Sequence, residues 1–201
     1  MRRLNADGYK VKFVWARGGY TPGFEAIKKH MRRILGKKLP PPGHSKMRKK
    51  KLDSPLIQRI WLLIAITDLA LVWGLYVRIL SALGMIVICD RYLNDTLLDF
   101  QKNFPTSNIE DRVLWKLLTI ITPVPQYSFL FWVPVETSLK RSLAKAEPFP
   151  DTSETLEWRL SAYMDKLNFP LNKYTRVDGR GAIEEISDEL YSLIKSDVHL
   201  R

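Results

Sequence analysis

Residues 56–83, LIQRIWLLIAITDLALVWGLYVRILSAL, restrict the fold of this chain more than any other stretch, because they are apolar nearly all round and carry only Arg59, Asp68 and Arg78 as charges. A helix of that kind is either buried in a core or spans a membrane. A span needs roughly 20 predominantly apolar residues, whereas the uncharged runs are Ile60–Thr67 and Leu69–Val77, broken by Asp68. An aspartate at a helix centre costs about 2.5–3.5 kcal/mol on insertion scales, which flanking leucines at about −0.5 kcal/mol each can offset. The surroundings therefore decide. Downstream the chain reads as soluble α/β structure, and a single span would separate the strand candidate YKVKFVW (9–15) from its partners. The expectation is a buried helix, a membrane being an unlikely partner. MRRLNADGYK has charge and no apolar region of the kind a secretory signal needs, which points to the cytoplasm.

The rest of the chain falls into alternating elements. YKVKFVW alternates polar and apolar residues and runs into ARGGYTPG, a strand followed by a loop. FEAIKKHMRRIL has apolar residues at helical spacing, and Gly36 is placed to cap it. MIVIC (85–89) is a short β-branched run, expected as a central strand. A helix is expected over about 109–121, a buried strand at YSFLFWV (127–133) and a helix from PVETSLKRSLAKA. SETLEWRLSAYMDKL forms another helix with Ser153 as its N-cap, NKYTRV (172–177) a strand, DGRG a turn, and AIEEISDELYSLIK a closing amphipathic helix. That order implies one domain over 1–201, a parallel sheet covered by helices on both faces, with ligands at the carboxyl ends of the strands.

Lysine and arginine number 32 against 21 acidic residues, a net charge of +11, so the surface should attract anions. Seven of the basic residues lie in KKLPPPGHSKMRKKK (37–51), which has no acid and three consecutive prolines; residues 37–53 are read as a solvated insertion loop. Such a tract gives salt-sensitive, nonspecific affinity at most, and the chain carries no nucleic-acid motif, so no specific nucleic-acid partner is expected. The single cysteine, Cys89, excludes an internal disulfide and reads as a buried thiol.

If MIVIC is a strand, Asp90 and Arg91 emerge at its carboxyl edge. Arg91 offers a planar fork of donors that can grip a phosphate, and Asp90 an oxygen that can hold Mg²⁺ directly or through water. A plain salt-bridged pair is the alternative. Here VICDRYLNDTLLDF resembles the Asp-Arg-Tyr motif of thymidylate kinases, and three further segments are similar to that family in the same order: KVKFVWARGGYTPGFEAIKK, FLFWVPVETSLKR and TRVDGRGAIEEISDEL. The resemblance covers about residues 5–195. It implies a three-layer α/β/α fold of the P-loop NTPase type, and a nucleoside monophosphate kinase that transfers a phosphoryl group from ATP with Mg²⁺. Arg91 and Arg17 would then hold the acceptor monophosphate and Asp90 would assist at the metal, with Arg91, Asp90 and Arg141 catalytic. Asp68, Tyr92 and Asp95 would line the acceptor pocket. Lys140, Arg141 and Lys145 would belong to a basic lid over about 140–155, and Gly179 and Arg180 to the loop passing the adenine. The partner implied is a nucleoside monophosphate or related phosphorylated small molecule, with a homodimer left open.

The departures from the family pattern weigh as much. Asp68 is followed by Leu69 where the family has an arginine, which puts thymine specificity in doubt; ARGG lacks the family's intervening glutamate and proline. Asp95 and Asp99 lie four apart on one helical face where small polar residues are typical, a pattern closer to a divergent branch of the family. Nowhere does the sequence contain G-x-x-x-x-G-K-[ST], whose amides and lysine cradle the donor phosphates. The expectation is that Met1 is an internal methionine and that a first strand and phosphate loop of about 25 residues precede it, as a βαβ unit requires. The chain as it stands should then be inactive; a non-catalytic relative binding a nucleotide or a partner protein is the alternative.

Overall fold

In a computed structural model the described residues are 1–18, Thr21, Lys29, 54–145, 151–165, 168–169 and 172–198. The helix expected in FEAIKKHMRRIL and the basic tract 37–51 fall outside them, Lys29 apart. In chain order the elements are α1 (Arg2–Ala6), β1 (Val11–Trp15), α2 (Pro55–Leu69), a π-helical stretch (Ala70–Val77), α3 (Arg78–Ala82), β2 (Ile86–Asp90), α4 (Leu93–Asn103), a 3₁₀ turn (Ile109–Asp111), α5 (Val113–Ile121), β3 (Phe129–Trp132), α6 (Val135–Ala144), α7 (Ser153–Asp165), β4 (Asn168–Phe169), β5 (Asn172–Lys173), β6 (Thr175–Asp178) and α8 (Ile183–Val198). This is a mixed α/β chain with parallel strand pairing. It divides into two compact units, Tyr9–Pro123 and Met1–Gly8 with Val124–Arg201.

In the unit Tyr9–Pro123, β1 and β2 run parallel with Val11 opposite Ile86 and Trp15 opposite Asp90. The long helical run from Pro55 to Ala82 begins with proline at its first turn, where the missing N–H costs nothing. Its buried side begins at Leu62, Ala65, Ile66 and Leu69 and continues through Trp73 and Val77 to Leu80. From Leu69 to Val77 the buried positions recur every four residues. The wider π turn keeps such a spacing on one side, which accounts for its place in the run. Arg78 Nε donates to the carbonyl oxygen of Ile121 at 2.8 Å, capping the end of α5 with a cation where the helix dipole favours one.

Two expectations about this unit are corrected. The run 56–83 is a helix buried along one side and not all round: 39% of the residues in its most apolar window are buried. Tertiary packing needs one side of a helix, and composition alone does not report whether the other side is used. MIVIC is a strand, yet among the described residues β2 pairs on one edge only, with β1. Its residues Ile86–Cys89 are half-buried, because a continuous apolar run signals covered faces and says nothing of edges. Helix α4 has no counterpart among the elements read from the sequence, although Asp95 and Asp99 were placed on one helical face. The helix expected at 109–121 is split at the extended Arg112 into the 3₁₀ turn and α5.

In the unit Met1–Gly8 with Val124–Arg201, β3 and β6 pair in parallel, Phe129 opposite Thr175 and Trp132 opposite Asp178. The expected strand 172–177 is two pieces, β5 closing a short antiparallel hairpin with β4, and β6. The start of α7 is capped by Thr152, whose Oγ1 accepts the Thr155 N–H at 3.3 Å, not by Ser153, whose hydroxyl donates to Glu157. A hydroxyl one residue before the first helical turn is the one that reaches the free N–H groups. Arg3 pairs with Asp188, and Asp7 accepts from Tyr191 and pairs with Lys195 at 3.0 Å, tying α1 to α8. Among the described residues, two parallel pairs and a hairpin take the place of the single sheet expected from the sequence.

Candidate functional site

The site begins with strand register. Trp15 lies opposite Asp90, so Arg17 and Arg91 leave neighbouring parallel strands at the same edge. Arg91 turns the chain with φ of 73°, a left-handed conformation that costs a non-glycine residue energy and that clusters at functional sites. Asp95 accepts the Tyr92 N–H at 2.9 Å, fixing the first turn of α4. One turn later the same helix presents Asp99. Arg17 Nε donates to Asp99 Oδ2 at 2.7 Å, and Arg91 Nη1 stands 3.5 Å from the same oxygen. The side chains of Arg17 and Arg91 are 28% and 30% exposed, that of Asp99 8%.

The loop carrying Arg17 is pinned from both sides. A Cβ on Gly18 would sit 2.7 Å from the Phe100 ring and 3.4 Å from a Leu69 methyl, so only glycine lets the loop pass between α2 and α4. Beyond it the Thr21 hydroxyl donates to Asp68, both buried. Two guanidinium groups thus stand beside the Asp99 carboxylate. The Nη1 of Arg91 is buried and has no hydrogen-bond acceptor among the described residues. A buried donor in that condition is costly unless something accepts from it, and an oxyanion is the natural acceptor for a guanidinium fork.

The other residues singled out in this unit have defined places. Asp90 is exposed at the end of β2. Among the described residues no three His, Cys, Asp or Glu side chains are grouped, and a magnesium ion held with substrate phosphates needs only one or two carboxylates. Tyr92 is buried, its hydroxyl donating to the Pro123 carbonyl at 2.8 Å, and desolvation pushes its pKa up. Asp68 and Asp95 make the bonds given above, to Thr21 and to the Tyr92 N–H. Cys89 is half-buried, and burial raises its thiol from 9.0 to about 11. Iodoacetamide at pH 8 should therefore modify it about a hundredfold more slowly than a small free thiol, since the thiolate is the nucleophile; a rate equal to the free thiol's would place Cys89 in open solvent. The unfolded chain ionises this thiol first, so its contribution to stability is intact below pH 9 and is lost as pH rises toward 11.

In the other unit, Lys140 and Arg141 are exposed on α6 and Lys145 follows its last turn, its N–H donating to the Arg141 carbonyl at 3.1 Å. Residues 146–150 of the expected lid lie outside the described residues. Gly179 is buried, its N–H donating to the Trp132 carbonyl at 2.8 Å, and a Cβ there would meet a Val133 methyl at 2.8 Å. The close backbone approach anticipated for Gly179 is therefore made to β3. Arg180 grips Asp178 through Nε at 3.0 Å and Nη2 at 2.6 Å, and these hydrogen bonds hold the Asp178 carboxyl down at about 2. Arg176 lies 4.4 Å over the Trp132 ring and Arg180 5.5 Å. Trp132 and Arg176 have no place among the residues singled out from the sequence, and Asp99 entered only as a departure. The signal that could have found the first two is strand register, which sequence periodicity does not supply.

No family model and no curated protein matches the chain. The described residues define a mixed α/β protein with a cationic cluster at a strand edge, and its reading rests on that chemistry.

Proposed function

We propose that the unit Tyr9–Pro123 holds the monophosphate of a phosphorylated small molecule, of the nucleoside monophosphate class, between Arg17 and Arg91, as the acceptor half of a thymidylate kinase-like phosphotransferase of P-loop NTPase-type, three-layer fold. The observation that carries this is the buried Nη1 of Arg91, which has no hydrogen-bond acceptor among the described residues and lies 3.5 Å from Asp99, on a residue held in the left-handed conformation. Arg17 supplies the second fork, and the loop 16–18 that carries it is fixed in place by Gly18. In the other unit Arg176 and Arg180 lie over the Trp132 ring, and an adenine of ATP bound there would take the place of a guanidinium on that ring. The sequence holds no G-x-x-x-x-G-K-[ST] to cradle the donor phosphates, so binding of the acceptor, and not phosphoryl transfer, is the activity to measure in this chain. Lys140, Arg141 and Lys145 would neutralise a donor's charge in the complete reaction.

Calorimetric titration of dTMP and of thymidine separates the phosphate from the base. Arg91→Ala should weaken dTMP binding by about 2 kcal/mol, roughly 30-fold, and leave thymidine binding unchanged. Equal losses for both ligands would remove the phosphate role from Arg91. The second reading, a relative that binds without chemistry, makes the same prediction for binding. It is favoured if the chain binds dTMP while ATP neither binds beside it nor passes a phosphoryl group to it.

A further inference from the structure

We infer that the helical run Pro55–Ala82 together with α5 forms a docking face for an anionic lipid surface, with the helix lying in the plane of the headgroups. The outward side of the run is apolar along its length: Leu56, Ile60, Leu63, Leu71, Leu75 and Ile79 are all exposed, Leu71 at 57% and Leu75 at 55%. Their spacing of three, four or eight residues sets them on one side of the helix. Helix α5, which is anchored to the run through Arg78 and Ile121, exposes Val113, Leu117 and Ile120. Soluble monomers rarely leave apolar faces of this extent open.

Charge chooses the occupant. On the helical run and α5 the basic side chains are Arg59, Arg78 and Lys116, and the single carboxylate, Asp68, is buried against Thr21. A second copy docked about a two-fold axis would set these cations near their own kind. An anionic headgroup layer complements them. The helix lies on such a surface and does not cross it. Its inner side is spent on Leu62, Ile66, Leu69 and Trp73, and withdrawing it would strip Asp68 of Thr21.

The test is flotation of the full chain with phosphatidylcholine vesicles, with or without about 30 mol % phosphatidylserine. Partition at least tenfold higher onto the anionic vesicles, falling with added salt and lost in the Leu71→Asp, Leu75→Asp double variant, is the expected result. Wild-type partition of that variant would mean that the basic tract binds alone, and would overturn the proposal. So would a dimer in lipid-free sedimentation that the double variant dissociates, with no vesicle binding, because a second copy would then cover the face. Tyr76→Trp, a conservative change at an exposed position, gives an independent reading: the fluorescence it adds to that of the six native tryptophans, taken as the difference from wild type, should be quenched by lipids brominated on their acyl chains. Flotation without quenching overturns the docking geometry.

Discussion

Asp99→Ala should lower the unfolding free energy by about 2–3 kcal/mol, read from the denaturant midpoint at unchanged slope. The reasoning starts from what the substitution leaves behind. Arg17 loses a 2.7 Å charged hydrogen bond and Arg91 a carboxylate oxygen 3.5 Å away, while both keep most of their side chains out of water. Removing one partner of a buried ion pair costs about 3–5 kcal/mol. The exposed part of each arginine, 28% and 30%, lets water recover some of that, which brings the figure down. The loss should be partly reversed by adding Arg17→Met, which removes the stranded charge and keeps the apolar stem. A double variant as unstable as the sum of the two singles would show that charge is not the cause, and a single variant within about 0.5 kcal/mol of wild type would show that the cluster contributes little. Asp99→Asn keeps the shape and removes the competing negative charge. Inorganic phosphate should therefore bind it more tightly than wild type, whereas a role for Asp99 in aiming the arginines would make binding weaker.

The same cluster shows where the sequence stops being readable. A local signal placed Arg91 at a strand end, because a β-branched apolar run followed by charge has few interpretations, whereas Arg17 was singled out only through the resemblance of its segment to the kinase family. What makes them one site is the pairing of Trp15 with Asp90, a register between segments 75 residues apart that periodicity cannot fix. Asp99 was legible only as an oddity, since its meaning depends on which arginines the sheet brings over α4. The long apolar helix failed differently. Its composition reports the free energy available from covering it and not whether this polypeptide does the covering, so a core helix and a docking helix look alike until the neighbours are placed. The cap of α7 moved by one residue, from Ser153 to Thr152, because either hydroxyl suits the position and only backbone geometry chooses.

Trp73→Ala is expected to have the largest effect on stability of any substitution in the unit Tyr9–Pro123, about 4 kcal/mol. Trp73 is fully buried in the π stretch, and its ring lies 5.1 Å from that of Tyr92 at an angle of 48°. Truncation there opens a cavity that the surrounding helices cannot collapse into without moving Tyr92, whose hydroxyl is held by the Pro123 carbonyl. Trp73→Phe should cost far less, about 1 kcal/mol, for a specific reason. The indole N–H has no hydrogen-bond acceptor among the described residues, so phenylalanine gives up ring area but no bond and relieves an unsatisfied donor. The two variants also separate stability from site geometry. Tyr92 follows Arg91 directly, so the alanine variant, measured where it is still folded, should weaken monophosphate binding along with stability, and the phenylalanine variant should leave binding near wild type. Equal destabilisation by the two would mean that the indole N–H finds an acceptor in the folded protein. Undiminished binding in the alanine variant would mean that Arg91 is held by Asp99 and its own backbone conformation, independently of the aromatic pair beneath it.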